Sequence, residues 1–171
     1  LLCMLAPTAS QARPAEKSAR LDRSFGNGGW VSDIPLPRGH AVKPTSEPTP
    51  VSGLRGSSFL ILQTYKKKGV RGRTIGGVVI KYNSRGRIDR SFGRRGAAWM
   101  PAGRVPVTLV ELDDGSVVLA TGKRVKNYLV SASSLIRLRR DGRRDSGFGI
   151  RGEIKEGRRS FVMDSNLNLR I

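Results

Sequence analysis

Ile88-Asp89-Arg90-Ser91-Phe92-Gly93-Arg94-Arg95-Gly96 decides how this 171-residue chain is read, because it recurs. Leu21-Asp22-Arg23-Ser24-Phe25-Gly26-Asn27-Gly28-Gly29 and Arg144-Asp145-Ser146-Gly147-Phe148-Gly149-Ile150-Arg151-Gly152 align with it without gaps, giving the shared pattern D-x-x-F-G-x-x-G. The third copy is degenerate, with Arg144 at the aliphatic position and Gly147 where the others have Ser. An internal repeat fixes architecture before local preferences do. Asp22, Asp89 and Asp145 can each accept a backbone N–H two or three residues on, which closes a turn. Phe25, Phe92 and Phe148 are the large apolar residues of polar loops and are expected to plug into the core. Gly26, Gly29, Gly93, Gly96, Gly149 and Gly152 supply positive φ or close backbone approach. A calcium loop stacks several oxygen ligands at alternate positions. Each copy here offers one carboxylate, so the structural role is preferred and no metal is assigned.

Upstream of the last two copies, Val79-Ile80-Lys81-Tyr82-Asn83-Ser84-Arg85-Gly86-Arg87 aligns with Leu135-Ile136-Arg137-Leu138-Arg139-Arg140-Asp141-Gly142-Arg143. Apolar residues alternate with cations and then yield to a glycine turn, as in a half-buried strand that ends in a tight turn. A further strand is read at Ser58-Phe59-Leu60-Ile61-Leu62 and, after the turn Asp113-Asp114-Gly115, at Ser116-Val117-Val118-Leu119-Ala120. With Phe59 set against Val117, Gly29 to Phe59 is 30 residues and Gly96 to Val117 is 21, so the first unit holds nine extra residues there. Five of the nine prolines fall in 35–53 (Pro35, Pro37, Pro44, Pro48, Pro50), and this stretch is expected to be an irregular surface insert, since proline lacks the ladder N–H.

The expected fold is all-β: a β-propeller-like array of short antiparallel strands, about two and a half units long, within residues 21–171. Its units run 21–87, 88–143 and an incomplete 144–171, in which 161–169 reads as an opening strand. Propellers close with about four to eight blades. The chain is therefore read as a fragment of a longer array, with ring closure by oligomerisation or a smaller open β structure as alternatives. Open strand edges make self-association possible.

The combination resembles the delta-60 repeat, a bacterial family whose units carry an L-D-x-S-F-G-x-x-G signature. Leu21 to Gly29, Ile88 to Gly96, Asp114 to Ala120 and Ile80 to Gly86 carry the resemblance, which covers roughly 20–156 apart from the insert. It implies a propeller-like fold in exported or surface proteins, and it implies no catalytic residues.

The chain has 32 Lys+Arg against 13 Asp+Glu, a net charge of +19. Such a balance suits a polyanion partner. The candidate contacts are Lys66, Lys67 and Lys68 with Arg71 and Arg73 on a hairpin tip, Lys81 and Arg137 at equivalent repeat positions, and Arg139. Stacked units could align these cations on one face towards an anionic polysaccharide or a cell-envelope polymer. An arginine-rich composition with charge spread around the surface is the competing reading: Arg outnumbers Lys 23 to 9. Three tyrosines and two tryptophans give little for base stacking, which disfavours sequence-specific nucleic-acid recognition.

One Cys and one His exclude multi-cysteine metal sites and His-pair zinc chemistry. His40 falls in the proline-rich stretch and is expected to be exposed and inert. Asp113-Asp114 reads as a turn rather than an acid/base pair. No catalytic residue, cofactor or enzyme activity is assigned. Residues 1–12 resemble the end of a secretory signal, with Ser10 and Ala12 forming a small-x-small cleavage pattern, and 13–20 form a polar lead-in. Leu2 before Cys3 argues against a lipid anchor. No window has the ~18–20 apolar residues of a membrane helix. The expected protein is an exported, secreted or surface-bound, non-enzymatic binding or scaffold module.

Overall fold

The computed structural model describes residues 20–31, 34–36, 40–42, 48–66, 75–100, 103–125, 128–155, 162–163 and 169–170. The leader at 1–12 and nearly all of the lead-in lie outside these residues. The protein is all-β, and its strands form two antiparallel sheets and one short strand pair. No helix among the described residues is long and apolar enough to cross a membrane.

In the first sheet β1 (His40–Val42) and β2 (Thr49–Ser52) both pair with β3 (Ser58–Lys66), which pairs with β4 (Ile75–Tyr82) and then β5 (Ala97–Trp99). In the second the order is β6 (Arg104–Glu111), β7 (Val117–Val125), β8 (Tyr128–Leu138) and β9 (Glu153–Lys155). The two sheets are built to one plan. Lys81 pairs with Phe59 on one side and Val79 with Ala98 on the other; Arg137 pairs with Val118 and Leu135 with Ile154. The spacing of 56 residues between Phe92 and Phe148 thus carries β4 onto β8 and β5 onto β9.

That register corrects the strand alignment expected from sequence. Phe59 is equivalent to Val118, not Val117. The stretch from Gly96 to Val118 is 22 residues against 30 in the first unit, so the excess is eight. The apolar runs are continuous at this point, and a slip of one residue leaves the pattern almost unchanged while it exchanges the faces. The expectation of an irregular insert over 35–53 also needs correction, because β1 and β2 lie within it. Pro50 pairs opposite Leu60 and Pro106 opposite Thr121. Both prolines sit on edge strands, where the missing N–H need not serve a ladder. The stretch expected as one opening strand at 161–169 is instead divided: β10 (Val162–Met163) pairs antiparallel with β11 (Leu169–Arg170).

The main core lies between the sheets. Phe59, Ile61, Val79 and Ala98 of the first meet Leu109, Val117, Leu119, Ile136 and Leu138 of the second, with Phe92 among them. Each large side chain buried there contributes roughly 1.5–3 kcal/mol. The other face of the first sheet holds Leu62, Val78, Ile80, Tyr82 and Ala97. Consecutive residues of β4 thus enter opposite layers, which is why the strand reads as an apolar run.

Candidate functional site

The repeated motif builds one rim of the molecule. In the first copy Asp22 Oδ1 accepts the Ser24 backbone N–H at 2.9 Å and its hydroxyl at 2.6 Å; Asp89 accepts the same two groups of Ser91, and Asp145 accepts the Gly147 N–H at 3.2 Å. The Ser24 hydroxyl and backbone N–H hold the Asp22 carboxyl below its ordinary value. Beyond the phenylalanine, a second tight turn follows, with Asn27 N–H donating to Trp30 C=O and Arg94 N–H to Ala97 C=O.

The first two motifs then dock on a glycine turn 59 and 48 residues further along (Gly26 to Arg85, Gly93 to Asp141). Gly26 N–H donates to Arg85 C=O at 2.7 Å, and Gly93 N–H donates to Asp141 C=O at 2.6 Å. The receiving turns close alike: Gly86 N–H bonds Asn83 C=O, and Gly142 N–H bonds Arg139 C=O. A Cβ on Gly142, at φ 74°, would stand 2.4 Å from Gly93 N and 3.1 Å from the Phe92 ring, so glycine alone permits the approach. Phe92 is fully buried and meets Phe59 edge to face at a centroid distance of 6.0 Å. Phe25 and Phe148 are only half-buried. No acceptor for the Gly149 N–H is present among the described residues.

On the same rim a cleft of about 420 Å³ opens between the sheets, with Arg55, Asp89, Asp114 and Arg140 around its mouth and Lys81 and Glu111 at its floor. Lys81 was expected to be a surface cation, and the structure corrects this. It is 8% exposed, and its ammonium lies 2.8 Å from Glu111 Oε1 and 5.3 Å from the Phe59 ring centroid. Glu111 Oε2 accepts the Leu54 N–H at 2.7 Å and the Ser57 hydroxyl. Burial alone would raise the Glu111 pKa, but hydrogen bonds from Lys81, Ser57 and Leu54 and the lysine charge outweigh it and hold the group below its ordinary value. These contacts join β4 and the loop before β3 to β6, so the carboxylate ties one sheet to the other.

Arg137, the equivalent of Lys81, is held by Asp114 Oδ2, by the Ser116 hydroxyl at 3.0 Å and by Asp145 at 3.7 Å. Arg139 is exposed, 3.6 Å from the Asp145 carboxylate. Lys66 closes β3, and Lys67, Lys68, Arg71 and Arg73 lie outside the described residues. The aligned face of Lys81 and Arg137 therefore does not exist as a free surface, because both are committed to ion pairs. His40, expected on an exposed loop, is half-buried in β1 against Trp99, at a ring distance of 5.3 Å. Asp113-Asp114 does form a turn: Asp114 Oδ1 accepts the Ser116 N–H at 2.8 Å. Among the described residues no group of three or more His, Cys, Asp or Glu could hold a metal ion.

Sequence reasoning missed one buried polar cluster. Glu153 is 8% exposed, its Oε2 accepts from Arg144 at 2.9 Å, and the Arg104 guanidinium lies against Oε1 as a charge pair without hydrogen-bond alignment. Arg104 also donates to the Ser134 hydroxyl at 2.6 Å, which shares a hydrogen with Thr121. Burial opposes ionisation of Glu153, yet Ser134, Arg104 and Arg144 together hold its pKa below the ordinary value. The visible signal was a carboxylate directly after the closing glycine, where the other copies have Trp30 and Ala97. Compared with known proteins, the chain matches no family model, no curated protein and no solved structure.

Proposed function

We propose that the protein is an exported β-propeller-like repeat module of the delta-60 type that holds a partner on its loops and performs no chemistry on it. The observation that carries this reading is the docking bond made twice in the same way, Gly26 to Arg85 and Gly93 to Asp141. An array that grows by such a rule presents each unit's loops on one rim, which is the geometry of a scaffold. The polar groups in the cleft support the same reading: Lys81 and Glu111 satisfy each other, and the motif carboxylates satisfy their own turns. Two sheets do not close a ring, and in this reading the ring is completed by further repeat units or by self-association at strand edges, with a smaller open β structure as the alternative.

The test is sedimentation of the purified chain with a bacterial envelope preparation, alongside fractionation of cells expressing it with its natural leader. Recovery in the exported fraction and co-sedimentation with the envelope are the expected results. Retention inside the cell, or a chain that stays in the supernatant at low salt, would overturn the proposal.

A further inference from the structure

Among the described residues, every non-glycine in a left-handed backbone conformation is an arginine: Arg55 at φ 53°, Arg95 at 58° and Arg151 at 55°. Arg95 and Arg151 occupy the same motif position, which the first copy fills with Gly28 at φ 66°. Both precede a glycine that also has positive φ, in a two-residue turn of the kind that favours Gly-Gly or Asn-Gly. Arg95 and Arg151 are both exposed, and a Cβ on the equivalent Gly28 would meet nothing within 4 Å. A strained backbone thus carries an exposed cation at the same motif position twice, and strain of this sort clusters at sites of function.

These arginines share a rim with others. The second motif also exposes Arg90 and Arg94, and the turn on which the first motif docks exposes Arg85 and Arg87. The rim's carboxylates offset only part of this charge. Asp114, Asp141 and Asp145 pair with Arg137, Arg143 and Arg139, and Asp22, Asp89 and Asp113 are left as three charges against these six arginines. Three of these positions carry a cation in a second unit (Arg95 and Arg151, Arg87 and Arg143, Arg90 and Arg23), while Arg85 and Arg94 give way to Asp141 and Ile150 at the equivalent positions.

We propose that this rim binds an acidic polysaccharide, whose carboxylates or sulfates pair with guanidinium groups led by Arg95 and Arg151. It rests on the scaffold reading above and names that scaffold's ligand class. A guanidinium fork matches a planar or tetrahedral oxyanion, and cations repeated along an array suit a polymer with charges repeated along its length. Trp30 is the exposed aromatic of the described rim, which leaves no succession of rings for single-stranded nucleic acid.

Heparin serves as the sulfated probe and polygalacturonate as the carboxylated one, each titrated at low salt into the full chain and into Arg95→Gly/Arg151→Gly. Glycine takes positive φ freely, so the double variant is expected to keep or raise its thermal midpoint. Its affinity for at least one probe should fall on the order of tenfold. Which probe loses more distinguishes sulfate from carboxylate recognition. Unchanged affinity for both probes, with the midpoint intact, would overturn the proposal. So would a DNA duplex that binds more tightly than either polysaccharide. If the double variant still sediments with envelopes as the parent does, the rim assignment fails while the scaffold reading stands.

Discussion

Phe92 shows how much one motif residue contributes once its unit is flanked on both sides. It is fully buried between two sheets, whereas Phe148, at the same motif position, is half-buried. Truncating a buried aromatic costs about 3–5 kcal/mol. Phe92→Ala is therefore expected to lower the stability measured by urea unfolding by that amount, and Phe148→Ala by clearly less. Equal losses would mean that the two copies sit in equivalent surroundings, contrary to the geometry. The role of the phenylalanine was legible in the sequence, since a lone aromatic in a glycine-rich loop has few other uses. Its unequal burial was not, because burial depends on the neighbouring unit and not on the motif.

At the scale of elements, β4 and β6 are joined across the sheets by Lys81 and Glu111. Breaking a buried ion pair on one side leaves the other charge uncompensated, at a cost of about 3–5 kcal/mol, while replacing both with apolar groups is often neutral. Glu111→Gln is expected to be destabilising to that extent, and Lys81→Met/Glu111→Leu to recover most of the loss in the same unfolding assay. The pair also sets an acid limit. The Glu111 pKa is lowered in the folded state, so its stabilisation is complete above the ordinary glutamate value of 4.5 and is lost as pH falls through the lower folded value. Glu153 has the same sign. The unfolding midpoint should therefore hold above about pH 5 and drop below it, less steeply in the double apolar variant; a flat profile would remove both carboxylates from the account.

This pair also marks where reading the sequence stopped. Alternating Val79-Ile80-Lys81-Tyr82 announced the strand and put Lys81 on the opposite face from Ile80, both as found. It suggested solvent for the lysine because nothing local announced Glu111, 30 residues away on another sheet. The strands β1 and β2 were hidden for a related reason: Pro50 within β2, and Pro37 and Pro44 on either side of β1, argue against a central strand, and their edge position is a tertiary fact. Arg95 and Arg151 were visible as residues but not as strain, since the fourth position of F-G-x-x-G reveals its conformation only when the turn is built.

The described residues form two sheets of one plan and a short strand pair, the sheets stacked through a shared core and the first two motif loops each gripping a later turn. A chain built this way has near-pure β content. Its central claim is the docking rule, and amide hydrogen exchange tests that most directly. The account predicts that the Gly26 and Gly93 amides, bonded to Arg85 and Asp141, exchange slowly, while the Gly149 amide exchanges close to the rate of an open loop. Equal exchange at all three glycines, or a Gly93 amide as fast as that of Gly149, would contradict it.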